Sequence, residues 1–121
     1  MTVVYLTLTD LLDLATDLAV GPVRDLGLLD SAAYRPRTSL YGEDAYEGVH
    51  LKAAVLLESI VRNHPLVDGN KRLGWLATVV FLGVNGCDVD APDDPAYDMV
   101  IGVAEGRVAA EASADLLRDW S

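Results

Sequence analysis

"NHPLVDGNKRLGWLATVVFLGV", residues 63–84, is the stretch on which the architecture turns. Its second half, Leu73 to Val84, is almost wholly apolar. A bilayer needs about 20 such residues, so this run is too short to span one and reads as a helix buried on all sides. Asn85 and Gly86 close that helix, because both tolerate the left-handed backbone that a helix end favours. On the other side, Pro65 disfavours helical backbone at His64, so the preceding helix should end near Asn63. The stretch is therefore a loop between two helices, the second of which is the expected centre of the fold.

Upstream, Tyr46 to Asn63 carries Val49, Ala53, Leu56, Leu57 and Ile60 on one helical face. Before it, "YRPRTSLYGEDAY" differs in kind: Pro36 forbids a regular helix, Gly42 marks a turn, and Thr38, Leu40 and Tyr41 favour extended structure. It should be a surface loop or small hairpin. Near the start, Thr7 with Asp10 forms an acidic variant of the capping box ahead of "LTDLLDLATDLAV", and Gly21 and Pro22 stop the helix that follows. "TVVY" before it is a short strand or an extended lead-in, and a short helix is expected around Leu28 to Ala33.

Downstream, "CDVDAPDDP" is an acidic loop in which Asp94 is placed to cap a helix beginning at Pro95 and running to Glu105, with Gly106 ending it. A last helix covers roughly Ala110 to Trp120. No repeat, linker or low-complexity tract interrupts the chain. The expectation is an all-α bundle around a buried central helix, with a little extended structure, forming a single domain over residues 1–121.

Bulk properties narrow the function. A net charge of −10 argues against a protein that coats nucleic acid, because phosphate neutralisation needs a basic surface. Three of the nine cations, Arg62, Lys71 and Arg72, nevertheless fall in one short stretch, so any anion bound there is small. The lone Cys87 cannot form an internal disulfide, which fits a reducing interior, and reads as a small buried residue. "MTVVYLTLTD" lacks the basic lead of a secretory signal, so a soluble cytoplasmic protein with no membrane partner is expected. Two histidines and one cysteine offer no metal-ligand cluster, and Asp88, Asp90, Asp93 and Asp94 lack calcium-loop spacing and read as a solvated loop. His50 reads as a packing or surface residue.

The chemistry concentrates in "HPLVDGNKR". A helix beginning at about Gly69 or Asn70 presents unpaired backbone N–H groups and the positive end of its dipole, which together make an anion site. Gly69 has no side chain to obstruct phosphate oxygens. Lys71 and Arg72 oppose the helix dipole in the first turn, a local conflict that a bound anion would remove. Asp68 is placed to hold a Mg2+ that in turn holds phosphates, and His64, across the loop, is a side chain suited to act as a base. Those are the parts required for transfer from a nucleotide. Taken singly, Asp68-Gly69 is also a common turn dipeptide and Lys71-Arg72 an ordinary solvated face. The GxxxxGK[ST] phosphate loop is absent.

The run resembles the signature of the Fic/Doc family, H-x-F-x-[DE]-G-N-[GK]-R, and in particular its Doc (death-on-curing) branch: His64, Asp68, Gly69, Asn70, Lys71 and Arg72 all match. "GLLDSAAYRPRTSLYG", "KAAVLLESIVRNHP" and "FLGVNG" also look like segments of Doc-type toxins, so the likeness covers nearly the whole chain. It implies a Fic-type all-α bundle with ATP and Mg2+ as co-substrates and transfer onto a hydroxyl of a target protein. His64 would be the general base, Asp68 the Mg2+ ligand, and Gly69, Asn70 and Arg72, with Lys71 beside them, the phosphate-binding residues. Thr38, Ser39, Leu40, Tyr41 and Gly42 would form the flap that docks the target in a strand-like manner.

Departures from the pattern sharpen this. Lys71 stands where most Fic adenylyltransferases have Gly, and in Doc that change accompanies an inverted nucleotide, so that the γ-phosphate rather than AMP is transferred. Trp75 occupies the position of the second Arg of the longer pattern. Leu66 replaces the usual Phe, which implies a looser anchor for the loop. The inhibitory [ST]-x-x-x-E-[GN] helix is not matched, since Glu47-Gly48 and Glu105-Gly106 follow Glu43 and Ile101; restraint is expected from a separate antitoxin chain seated on an apolar groove. The resemblance thus points to a toxin kinase acting on a translation factor, elongation factor Tu by analogy. Adenylyl transfer and an inactive partner-binding Fic fold stand as the alternatives.

Overall fold

The computed structural model describes residues 2–121. It is all-α apart from one two-stranded hairpin, in the order α1 (Leu8–Leu18), α2 (Leu26–Tyr34), β1 (Ser39–Leu40), β2 (Glu43–Asp44), α3 (Val49–Asn63), α4 (Asn70–Val84), α5 (Asp93–Ala104) and α6 (Ala110–Asp119). A 3-10 turn over Arg35–Arg37 links α2 to the hairpin.

Local chemistry accounts for most boundaries. The hydroxyl of Thr7 accepts from the Asp10 amide at 3.2 Å while the Asp10 carboxylate accepts from the Thr7 amide at 2.8 Å, completing the capping box that starts α1. The helix stops at Leu18, ahead of the expected Gly21-Pro22 breaker, because Ala19 turns left-handed and its N–H folds back onto the Ala15 and Thr16 carbonyls. The preceding residues are an extended lead-in rather than a strand, held where the backbone of Val4 exchanges two hydrogen bonds with the Asn85 side chain, each 2.8 Å. Helix α2 begins at Leu26, earlier than expected, because the Asp25 carboxylate accepts from the Leu28 amide and carries Gly27 inside the first turn. Pro36 is accommodated in the 3-10 turn, where its missing N–H is not needed.

The hairpin is antiparallel, pairing Ser39 with Asp44 and Leu40 with Glu43 across a two-residue turn. Both turn residues, Tyr41 (φ 53) and Gly42 (φ 78), have the positive φ that tight hairpins demand. Helix α5 also differs from expectation: it starts at Asp93 behind Pro92, so Asp94 and Pro95 lie inside its first turn instead of forming the cap. Acidic residues there suit the helix dipole, and Pro95 falls where the backbone N–H has no intrahelical partner to lose.

The central helix is α3, not α4. Residues Ala53 to Leu57, with Ser59, Ile60 and Val61, are buried, and α3 packs against α2, α4, α5 and α6. Helix α4 buries one side only, through Leu73, Ala77, Phe81 and Leu82; Trp75, Leu76, Val79 and Val80 are half-buried and Val84 is exposed. Gly74 allows the two helices to approach closely, since a Cβ there would press into Val61 and Leu57. The buried Thr78 hydroxyl donates to Gly74 O, one turn back in α4, at 2.7 Å. One hydrophobic cluster joins residues of all six helices. No helix among the described residues is long and apolar enough to cross a membrane.

Candidate active site

The loop between α3 and α4 is braced by the linker between α1 and α2. Val67 N donates to Pro22 O (2.9 Å), Gly21 N to Asp68 O (3.1 Å), and the amides of Arg24 and Asp25 both donate to Pro65 O (2.7 and 3.0 Å). Val23 and Leu66 form an antiparallel bridge at the centre of this strap. The Arg24 side chain adds to it, donating from Nε to His64 O at 2.7 Å and from Nη2 to Asn63 O at 2.9 Å. A guanidinium at the C-terminal end of α3 satisfies carbonyls that have no intrahelical partner and complements the helix dipole. It also fixes the backbone of His64, which is left-handed at φ 53, ψ 59, a conformation that costs a non-glycine residue energy unless its surroundings impose it.

Leu66 is 1% exposed and sits in the core. The expected loosening of the loop by Leu in place of Phe is not found. Asn70 contributes to this: its Oδ1 accepts from Leu66 N and its Nδ2 donates to Leu66 O, each at 2.9 Å, so both ends of the amide clamp the loop. The Asn70 side chain thus shapes the loop. Gly69 is required twice over: its φ is 91, and a Cβ would overlap the side chain of Val20 in the strap.

Helix α4 starts without any side-chain cap and without an acidic residue in its first turn. Its first-turn residues Asn70, Lys71 and Arg72 line the same cleft as the loop. That cleft, of about 310 Å³, is lined by His64, Val67, Asp68, Gly69, Asn70, Lys71 and Arg72, so every signature residue singled out in the sequence meets there. A base, a carboxylate, open backbone donors and two cations around one space can hold a polyanion and take a proton beside it. Asp68 is a lone carboxylate, and no cluster of three or more His, Cys, Asp or Glu side chains among the described residues is arranged to hold a metal. That suits Mg2+ arriving with phosphate oxygens as its other ligands, rather than an ion caged by protein. A second cleft, of about 470 Å³, opens between α4 and α5 and shares Lys71 and Arg72 with the first.

The residues expected in the flap form the hairpin. Thr38 precedes β1 and its carbonyl accepts from Ala45 N at 2.9 Å, Ser39 and Leu40 are β1, and Tyr41 and Gly42 are the turn. None of them lines the cleft around His64. The base of the hairpin is fastened by a residue that no local pattern marked: Lys52 is 1% exposed, and its ammonium donates to the Asp44 carboxylate at 3.1 Å, to Tyr46 O and to Pro36 O. Arg35 braces the same region, donating to the Glu58 carboxylate (2.9 Å), the Ser59 hydroxyl (3.1 Å) and the Tyr46 hydroxyl (3.2 Å). Arg24 was equally unmarked. A lone cation in a linker or on a helix carries no sequence signal of the distant carbonyls it meets.

His50 lies outside both clefts, with Nε2 at 3.1 Å from the Ser121 hydroxyl. Burial, and then the nearby charge of Arg118, hold its pKa below the ordinary histidine value. Cys87 is half-buried beside the core, and the acidic residues Asp88, Asp90, Asp93 and Asp94 are exposed.

Comparison with known proteins agrees with the geometry. A family model described as the Fic/DOC family matches residues 5–82, a span that includes the strap, the hairpin, α3 and most of α4. Among curated proteins, the chain is 51% identical over 84 residues to a protein named Toxin Doc from Mycolicibacterium smegmatis (strain ATCC 700084 / mc(2)155). That match covers 68% of this chain and 65% of the relative, so the chain matches just under two thirds of the relative's length. From the family match over more than half its length and the Fic-type helical bundle around the signature loop, the chain belongs to the Fic/DOC family.

Proposed function

We propose that residues 1–121 form a single Fic/Doc domain that transfers the γ-phosphate of ATP to a hydroxyl of a protein target in the translation machinery, elongation factor Tu by analogy, and so arrests growth as the toxin of a toxin-antitoxin pair. The observation that carries the reading is the meeting of His64, Asp68 and the open, cationic start of α4 in one cleft. The relative named Toxin Doc supports the toxin reading, and with it a cognate antitoxin as a separate partner chain.

In this reading His64 takes the proton from the target hydroxyl as its oxygen attacks phosphorus, and the bridging oxygen of ATP leaves on ADP. Asp68 holds Mg2+, which supplies charge neutralisation on the phosphate oxygens. The N–H groups of α4 with Lys71 and Arg72 bind the phosphates, Gly69 permits their close approach, and Asn70 keeps the loop in shape. The hairpin residues Thr38 to Gly42 dock the target backbone, using the open edge of a two-stranded sheet. The protein would act in the cytoplasm, with neither nucleic acid nor membrane as partner.

The test is the fate of label. Purified chain, Mg2+ and ATP labelled at the γ position should label the target, and His64→Ala should abolish that labelling. Label arriving only from the α position would replace kinase by adenylyltransferase. Growth arrest by the His64→Ala chain equal to that of the unaltered one would leave a partner-binding protein.

A further inference from the structure

We infer that Arg37 reads an acidic side chain on the segment of the target that docks along β1. The inference rests on the reading above that the hairpin receives the target, and it names a residue that selects which segment is received. Arg37 is exposed and ends the 3-10 turn, and the next residue, Thr38, is already extended (φ −56, ψ 134), so Arg37 stands at the start of the open edge of β1. Its guanidinium is held in place by two rings. The central carbon lies 5.0 Å from the centroid of Tyr5 and 5.6 Å from that of Tyr34. Tyr5 is in turn half-buried and tilted against Phe81 in the core, the ring centroids 6.2 Å apart. A guanidinium stacked on rings in this way keeps its N–H groups at the edge of the stack, available to a ligand.

Two features point to an acidic partner. The first is that this charge has no counter-ion within the fold. Glu58 pairs with Arg35 at 2.9 Å and Asp44 with Lys52 at 3.1 Å, and among the described residues Arg37 enters no ion pair. In a chain with 19 acidic residues against nine basic ones, the carboxylates that brace the hairpin are thus taken by other cations, and Arg37 is left over beside the docking edge. The second is that a guanidinium already held by its surroundings loses little side-chain freedom when a carboxylate arrives, and its fork donates to both oxygens. Main-chain pairing along a sheet edge is indifferent to sequence, so specificity there has to come from side-chain contacts of this kind.

Peptide capture tests this. A positional library of serine- and threonine-bearing peptides is passed over the immobilised full chain with Mg2+ and γ-labelled ATP, and captured sequences and transferred label are read separately. The unaltered chain should enrich Asp or Glu over Asn or Gln at one fixed position by roughly tenfold, the worth of a hydrogen bond to a charged group. Added salt should weaken that preference. Arg37→Gln should abolish it, and Arg37→Glu should replace it by a preference for Lys or Arg at the same position. The inversion separates recognition from support of the hairpin, because a hairpin that had merely lost its shape would capture no basic peptides. An acidic preference that survives in Arg37→Gln, or an Arg37→Glu chain without the inverted preference, overturns the inference. Label transferred with no preference at any position keeps the kinase reading and overturns the role of Arg37, whereas acid-selective capture without transfer of label keeps that role and removes the kinase reading.

Discussion

Two glycines in and beside the same helix separate what a backbone position requires from what it tolerates. Gly69 has φ 91 and no room for a Cβ beside Val20, whereas Gly83 is within α4 and a Cβ there meets nothing within 4 Å. Gly69→Ala should therefore destabilise the fold by about 1–3 kcal/mol, and Gly83→Ala should stabilise it by about 0.5–1 kcal/mol through the lower entropy of the unfolded chain. Thermal melting of the two variants checks this, and the opposite order would mean that the strap does not hold Val20 against the loop. The sequence marked Gly69 as a position expected to face phosphate. Its lack of room for a Cβ was not marked, because Val20 lies on a different segment and no local pattern links the two.

The hairpin depends on a single buried side chain. All four of its paired residues are exposed, so it has almost no apolar contact of its own and a two-stranded sheet this short does not persist unaided. Lys52, beneath it on α3, donates to groups on both sides of the hairpin, at Pro36 and at Asp44 and Tyr46. Lys52→Met keeps the length of the side chain and leaves those acceptors unmatched, so it should cost about 1–3 kcal/mol. Hydrogen exchange should show the amides of the hairpin losing protection while those of α4 keep theirs; uniform loss would show that Lys52 serves the core rather than the flap. At this scale the sequence announced the elements through their caps, turns and breakers: Thr7 with Asp10, Gly42, Pro65, and Asn85 with Gly86. It could not announce what fastens one element to another, since a buried lysine reads as a solvated one until its acceptors are in place.

For the molecule as a whole, the least legible feature was the centre. Leu73 to Val84 is the most continuously apolar run, yet α4 lies at one side and leaves Trp75 and Val79 to line a cleft, while α3, with Lys52 and Ser59 among its buried residues, runs through the middle. Apolarity measures what a helix can bury and not how many neighbours surround it, and a helix that lines a cleft keeps apolar surface uncovered. Whole-chain stability should also respond to pH through His50, which touches the last residue of the chain. Its folded-state pKa lies below the ordinary value of 6.5, so the unfolded chain binds a proton more readily. Its contribution is therefore complete above about pH 6.5, and stability falls as pH drops through that value until the folded-state pKa is passed. Urea denaturation between about pH 5.5 and 7.5 should show this slope, and His50→Gln should flatten it; an unchanged slope would assign the effect to other groups.

The strap from Gly21 to Asp25 has one more consequence, for how the chain can change in length. Linkers between surface helices ordinarily accept inserted residues with little penalty. This one is held in register with the loop it braces, and one added residue would slide Val23 off Leu66 and Gly21 off Asp68, carrying the insertion into the backbone that presents His64. The turn at Tyr41 and Gly42, with open space around the glycine, is where the chain has room to grow.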